Sequence, residues 1–360
     1  MFDRDKLEVM KKLSVRAWIS ILTFVLIGVI LFFARHELVR AWELLGQVNI
    51  WILLLLVPAI IVGYLAAGEM VFSYLRQKKL IDHVSIGTQM RISLELNFVN
   101  HVLPSGGVSG ISYMNWRLGK LGVSTGKATM AQLVRYVTGF AAMVTLLAIA
   151  VLLVTIDGTV NRWIILMSSA LVTMMILVTL GCLFLFSSEQ RMHRIGRRLG
   201  RGINRLVGWM TLGKAERVIK EQSLIAFLDD IYDDFKGLMR DKKILWQPYL
   251  WGIFFTIAEI AIFWIVFWAL GSPANPAPIL IAYGLASLAG MVIVTPGGAG
   301  AYEAIMVFVL AIAGMGNGEA IAGIILTRAI ILFVTIVAGW VLYQQVVMKY
   351  GKRPDAPVQR

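Results

Sequence analysis

The chain has 360 residues, of which 58% are hydrophobic and only 15% charged, with a formal net charge of +13. Several apolar runs reach the roughly 20 residues that a bilayer crossing needs, which excludes a soluble globular enzyme and marks a polytopic membrane protein. The single cysteine, Cys182, sits in an apolar run and is expected to pack there, and it excludes an intrachain disulfide or a cysteine-clustered metal site.

Taken in order, residues 1–16 form a basic N-terminus with no small-residue cleavage site after the apolar run that follows, so no cleavable signal peptide is expected. The first span is read over 17–34 and the second over 50–75, with Pro58 and Gly63 inside it. A broken segment covers 86–118. A long third span covers 127–156 and a fourth 163–186. A polar insertion fills 187–243. The fifth span is read over 245–270, a second broken segment over 279–314 and the sixth span over 320–348, before a short basic tail from 349 to 360.

The two broken segments carry the most information. The first is interrupted by Leu103-Pro104-Ser105-Gly106-Gly107 and the second by Thr295-Pro296-Gly297-Gly298-Ala299-Gly300. Proline lacks an N–H and clashes with the preceding turn, and glycine has no Cβ to hold one conformation, so neither stretch continues a helix. Broken backbone at membrane depth survives only inside protein or beside a watery cavity, where its amides can meet a ligand. Each break is followed by a helix containing one intramembrane arginine. Arg135 stands 31 positions after Pro104 and Arg328 stands 32 after Pro296. That shared spacing predicts an internal repeat, the common plan of secondary transporters; two unrelated kinks are the alternative.

Lysines and arginines near the span ends set the orientation. With the N-terminus in the cytoplasm and each broken segment returning to its own side, 28 basic residues fall inside. Only Arg35, Arg40 and Arg162 fall outside, and Arg91, Arg135 and Arg328 lie within membrane segments. The basic excess therefore belongs to a membrane surface and not to nucleic acid. The two halves, 17–156 and 157–348, come out opposite in sense, each with two spans, a re-entrant hairpin and a third span. The expected architecture is all-α, with six spans plus two re-entrant broken-helix hairpins in an inverted repeat, whose breaks meet near the midplane.

The insertion reads as two amphipathic helices. Met192, Ile195, Leu199, Ile203 and Leu206 make an apolar stripe among Arg191, Arg194, Arg197, Arg198, Arg201 and Arg205, suited to anionic headgroups. Leu224, Leu228, Ile231, Phe235 and Leu238 make a second stripe, with Asp229, Asp230, Asp233 and Asp234 opposite. The acidic face is expected to be solvated; docking onto the basic helix is the alternative.

Arg135 and Arg328 lie about two turns into their helices, where charge is costly and faces a cavity or a partner. Either they hold an anionic headgroup, by a forked contact to phosphate, or they make structural ion pairs or snorkel toward the nearer interface. Glu303 follows the second break, and Glu69 and Glu259 lie in the second and fifth spans; each pairs with an arginine or relays a proton. Asn97, Asn100 and His101 precede the first break, where they bind a headgroup or cap the broken helix. The candidate substrate-binding set is Arg135, Arg328, Pro104, Gly106, Gly107, Pro296, Gly297, Gly298, Gly300, Glu303 and Asn100. No Walker loop, nucleophile elbow or metal triad is present, so no catalytic residue, cofactor or metal is expected.

At Asn100-His101-Val102-Leu103-Pro104 with its following glycines, at Pro296 to Glu303, and at Arg328, the chain resembles the transmembrane region of lysylphosphatidylglycerol synthases, also called the flippase-like domain family. The second motif is the more specific; the first departs from the commoner glycine–arginine continuation. The resemblance covers roughly residues 15–348 and implies a domain that moves phospholipids between leaflets. Fused members carry a cytosolic aminoacyltransferase domain; the sequence stops at Arg360, so lipid-aminoacylating activity is not expected. Some relatives act in polyprenyl-linked sugar or hopanoid pathways. The expected function is a flippase-like transporter of a phospholipid or other anionic lipid in the bacterial inner membrane, with both termini cytoplasmic. The alternatives are an accessory subunit or transferase in a lipid-linked glycan, aminoacyl-lipid or hopanoid pathway, and a scaffold that recruits a soluble partner. Expected partners are membrane phospholipids of anionic character and a separate lipid-modifying enzyme, cytosolic or membrane-bound.

Overall fold

A computed structural model describes residue 32 and residues 35–102, 108–156, 162–210, 221–292 and 300–350. Within these the chain is helical apart from short turns. The expected span over 17–34, most of both glycine-rich breaks and the two chain ends lie outside the described residues. In order, the helices are α1 (Arg35–Leu45), α2 (Ile50–Leu53), α3 (Leu56–Gln77), α4 (Ile86–Val102), α5 (Val108–Gly119), α6 (Thr125–Ile156), α7 (Arg162–Phe186), α8 (Glu189–Met210), α9 (Glu221–Arg240), α10 (Trp246–Ala269), α11 (Pro276–Val292), α12 (Ala301–Ile312) and α13 (Asn317–Tyr350).

Among the described residues, five stretches are long and apolar enough to cross a membrane: Ile50–Gln77, Thr125–Leu152, Ile165–Phe186, Lys242–Ala269 and Asn317–Lys349. They coincide with the five expected spans that fall among the described residues. Their outer faces carry large apolar side chains such as Leu152, Leu177, Phe254 and Phe333, each more than half exposed. Water would penalise such a coat at about 25 cal/mol per Å², whereas lipid tails cover it at no cost. The interruption at Leu54–Leu55, between α2 and α3, follows from Pro58. Its ring excludes the carbonyl four residues back, and it is tolerated because it sits in the first turn of α3.

The helices α5 and α12 have 12 residues each, about 18 Å, too short for a hydrocarbon core of about 30 Å. The polar contacts of α5 show that it folds back along α4. Glu95, fully buried, accepts from Arg91 Nε at 2.8 Å, Arg117 Nε at 3.1 Å and Tyr113 Oη at 2.8 Å. Nearer the break, a Cβ at Gly110 would come within 2.1 Å of Asn100 Oδ1. Residue 100 meets 110 and residue 95 meets 113 and 117, which is the pattern of an antiparallel pair. Arg117, expected on the cytoplasmic surface, is thus a buried partner of Glu95. The hairpin is pinned to α3 as well: Arg76 pairs with Glu69 and donates through Nη1 to Gln89 Oε1 at 2.8 Å.

Lipid gives helices no hydrophobic drive to associate, so close approach through small residues takes its place. Added Cβ atoms would sit 3.1 Å from Ala142 Cβ at Gly252, and 2.1 Å from Phe267 at Gly323. In this way α10 lies tight against α6 and α13, while its longest contact is with α3.

Two surface elements differ from expectation. The short helix α1 packs on α13 and leaves Val39 and Trp42 exposed beside Arg35 and Arg40; its 11 residues are too few to read as a span and too apolar to read as a loop. The insertion does not present a purely solvated acidic face. Asp229 reaches His193 Nε2 at 2.6 Å across the α8–α9 contact, although Asp233 is exposed. Ile231, Phe235 and Leu238 of α9 join a core that includes Leu75, Leu118 and Val123. The insertion is therefore built onto the end of the bundle where α3 and α5 stop. Arg194, Arg197, Arg198, Arg201 and Arg205 remain exposed along α8.

Candidate functional site

The site is built from the first turn of α12. A helix start leaves backbone N–H groups without acceptors, and a glutamate at the third helical position can reach back to one of them. Glu303 does so, accepting from Gly300 N–H at 2.7 Å through one oxygen. Its other oxygen accepts from Arg328 Nε at 2.7 Å. One carboxylate thus caps the helix after the second break and pairs the arginine of α13. The guanidinium also lies 4.5 Å from the ring centroid of Tyr302, within cation–π range.

Gly300 adopts φ +88°, a conformation that L side chains rarely take, while an added Cβ would meet nothing within 4 Å. The cost of a side chain here is backbone strain alone. Gly300→Ala is expected to lower stability by about 1–2 kcal/mol. Thermal unfolding in detergent checks this, and an unchanged midpoint would refute the strained conformation.

Around this corner the other helices contribute polar groups to an apolar interior. The charge of Arg328 acts on Glu259 of α10, on Tyr302 and on His101 at the end of α4. Glu259 hydrogen-bonds with Tyr283 of α11, and Ser287, one turn on, bonds with both Tyr283 and Tyr302. Arg135 of α6 lies within electrostatic reach of Tyr283. Electrostatic interactions therefore link Arg135 to Tyr283, Tyr283 to Glu259, and Glu259 to Arg328. Both arginines stand about three turns into their helices, somewhat deeper than the sequence suggested. Their pairing differs: Arg328 has Glu303, whereas no carboxylate among the described residues lies within 4.0 Å of Arg135.

A second polar layer fixes the first broken segment. Tyr64 Oη and Thr335 Oγ1 are 3.1 Å apart, Asn97 Nδ2 donates to Tyr64 Oη at 3.2 Å, and His101 Nδ1 is 2.9 Å from the Asn97 carbonyl. Asn97 therefore ties α4 to α3 and α13 and does not cap a helix end. Asn100 is held against the α5 backbone at Gly110.

Of the expected site residues, Arg328, Glu303 and Gly300 come together directly, and Arg135 joins them through Tyr283 and Glu259. Asn100 stands at the neighbouring end of α4. Pro104, Gly106, Gly107, Pro296, Gly297 and Gly298 lie outside the described residues. Tyr64, Tyr283, Ser287 and Tyr302 were not anticipated. Their signal was available, since Tyr283 and Ser287 are polar groups four apart on an otherwise apolar helix.

Chemically the cluster offers two guanidinium groups, two carboxylates and several hydroxyls, a set suited to holding a charged headgroup. One metal-type grouping exists among the described residues, Glu189, His193 and Asp229 on the insertion, with ligand atoms within 4.8 Å of one another. Its His193 Nε2 and Asp229 Oδ1 are 2.6 Å apart, in direct hydrogen-bond contact, closer than two ligands of one ion at about 2.0–2.2 Å each would stand.

Residues 18–339 match the family model described as the lysylphosphatidylglycerol synthase TM region. A search of curated proteins and a search of solved structures each gave no match.

Proposed function

We propose that this chain, which belongs to the lysylphosphatidylglycerol synthase TM region family, is a lipid transporter that passes the headgroup of an anionic lipid through the polar cluster around Glu259. The observation that carries this reading is the convergence of Arg135 and Arg328, from the long helix after each broken segment, on one cluster. The charge of Arg328 also reaches His101 at the end of α4, and its Nε bonds Glu303 at the start of α12. Charged groups at this depth are expensive and mark substrate pathways. A phosphate suits the planar, forked donors of arginine, and acyl tails can follow along the apolar outer faces of the helices. The α4–α5 and α11–α12 pairs are read as re-entrant hairpins of an inverted repeat, with the insertion and both termini cytoplasmic in a bacterial inner membrane. The reading is transport, not transfer, because the polar groups gather two arginines and two carboxylates suited to a charged headgroup.

Reconstitution in proteoliposomes with matched fluorescent anionic and zwitterionic lipids tests the function. Protein-dependent movement of the anionic lipid between leaflets is the expected result, and its absence overturns the reading. Topology has its own test. With Cys182 replaced by Ser, Ser272→Cys is expected to react with an impermeant thiol reagent from outside the cell. Reaction from the cytoplasmic side alone would end the inverted-repeat reading.

A further inference from the structure

We propose that binding of an anionic headgroup at this cluster takes up one proton, and that Glu259 receives it. The inference rests on the transporter reading and adds an energetic coupling to it. The charges at the site balance: Arg135 and Arg328 are matched by Glu259 and Glu303. The adjoining breaks, 103–107 and 293–299, contain no charged residue. One added monoanionic phosphate therefore leaves an uncompensated negative charge among helices in lipid, where Coulomb energies are large and weakly screened. A proton on a carboxylate restores neutrality.

Two carboxylates compete for that proton, and their partners separate them. Glu303 uses both oxygens as acceptors, one from Arg328 Nε and one from the Gly300 N–H, so a proton there costs a bond to the cap or to the arginine. Glu259 has Tyr283 as its hydrogen-bond partner. A hydroxyl can donate to a carboxylate or accept from a carboxylic acid, so Tyr283 serves both protonation states. Behind it Ser287 and Tyr302 extend the row of hydroxyls, and each can reorient in the same way. The other groups around Glu259 do not take its place. From α3, Tyr64 feels its charge, and Gly63 leaves space beside its Oε1. From α13 comes Arg328, and Arg135 of α6 acts on Tyr283. His101 of α4 faces Arg328, a like charge once the imidazole is protonated, and its Nδ1 is committed to the Asn97 carbonyl.

The test is binding of short-chain phosphatidylglycerol to the whole protein in detergent between pH 5.5 and 8, beside short-chain phosphatidylcholine, which carries no net charge. Uptake of one proton makes phosphatidylglycerol affinity fall with rising pH, approaching about tenfold per unit, by linkage. Phosphatidylcholine affinity is expected to stay flat. Glu259→Gln removes the slope and binds phosphatidylglycerol more tightly than the wild type at pH 8, a gain that misfolding cannot imitate. Tyr283→Phe keeps the slope but displaces it along the pH axis, which holds the proposal to account if the glutamine variant does not fold. A flat wild-type profile with phosphatidylglycerol bound overturns the proton uptake and leaves the transporter reading standing. A slope that survives Glu259→Gln overturns the assignment to Glu259. No phosphatidylglycerol binding at any pH overturns both.

Discussion

Arg328→Gln is expected to reduce transport of anionic lipids by at least about tenfold, with Arg328→Lys doing little better. A charge-assisted hydrogen bond contributes about 1.5–3 kcal/mol, and 1.4 kcal/mol is a factor of ten. Lysine keeps the charge but loses the planar fork that lets Nε bond Glu303 while the guanidinium lies against Tyr302. Two roles are superimposed in this residue, and a double variant separates them. Arg328→Gln alone leaves the Glu303 carboxylate without its cation and should lower stability. Adding Glu303→Gln removes the stranded charge, so stability returns in large part while anionic-lipid transport does not. Arg135 offers the cleaner comparison, because no described carboxylate pairs with it. Arg135→Gln should lower transport of anionic lipids with little change in the unfolding midpoint. Leaflet-resolved transport of matched anionic and zwitterionic lipids decides the matter. Equal loss for both headgroups would make Arg328 a structural partner of Glu303, and full activity in Arg135→Gln/Arg328→Gln would remove both from the mechanism.

The sequence was informative where the membrane imposes a simple rule. Helix ends fell within a few residues of expectation because apolar run length and flanking charge set them, as for Thr125–Ile156 and Arg162–Phe186. The two breaks pointed to Arg328, Glu303 and Gly300, since proline and glycine at depth demand a local explanation. The cross-helix partners were less legible. Nothing local tells that Glu69 takes Arg76, seven residues on, or that Asn97 binds Tyr64 on another helix. Such pairs depend on packing angles and register between helices distant in sequence. Glu95 escaped notice for a related reason. It sits in a segment with other polar residues, where one carboxylate looks ordinary until Arg117, 22 positions later, is folded back onto it. The four-residue spacing of Tyr283 and Ser287 was legible on an apolar helix, but their partners Glu259 and Tyr302 lie on other helices and were not.

The Glu95 cluster carries the largest stability prediction. Its carboxylate has no exposed surface, and the side chain of Arg117 is only 5% exposed, whereas that of Arg91 is 34% exposed. Removing one partner of a buried ion pair strands the other, at a cost of about 3–5 kcal/mol. Glu95→Ala should therefore destabilise the protein by about that amount, because it takes the buried carboxylate from Arg117, Arg91 and Tyr113 together. The other members should fall in a defined order. Arg117→Ala costs nearly as much, since it leaves a buried carboxylate short of its nearest buried cation. Tyr113→Phe removes one hydrogen bond at about 1 kcal/mol. Arg91→Ala costs least among the charged residues, because water already screens its guanidinium and exposed pairs contribute about 0–1 kcal/mol. Denaturant titration of the purified protein, followed by tryptophan fluorescence, gives the ranking. If Arg91→Ala proved as damaging as Glu95→Ala, the knot would be governed by the Arg91 contact to the Leu342 carbonyl of α13, and not by the fold-back of α5 onto α4. If all four variants unfolded with the wild type, the hairpin would be held by its apolar packing alone, through residues such as Phe98, Val99 and Met114.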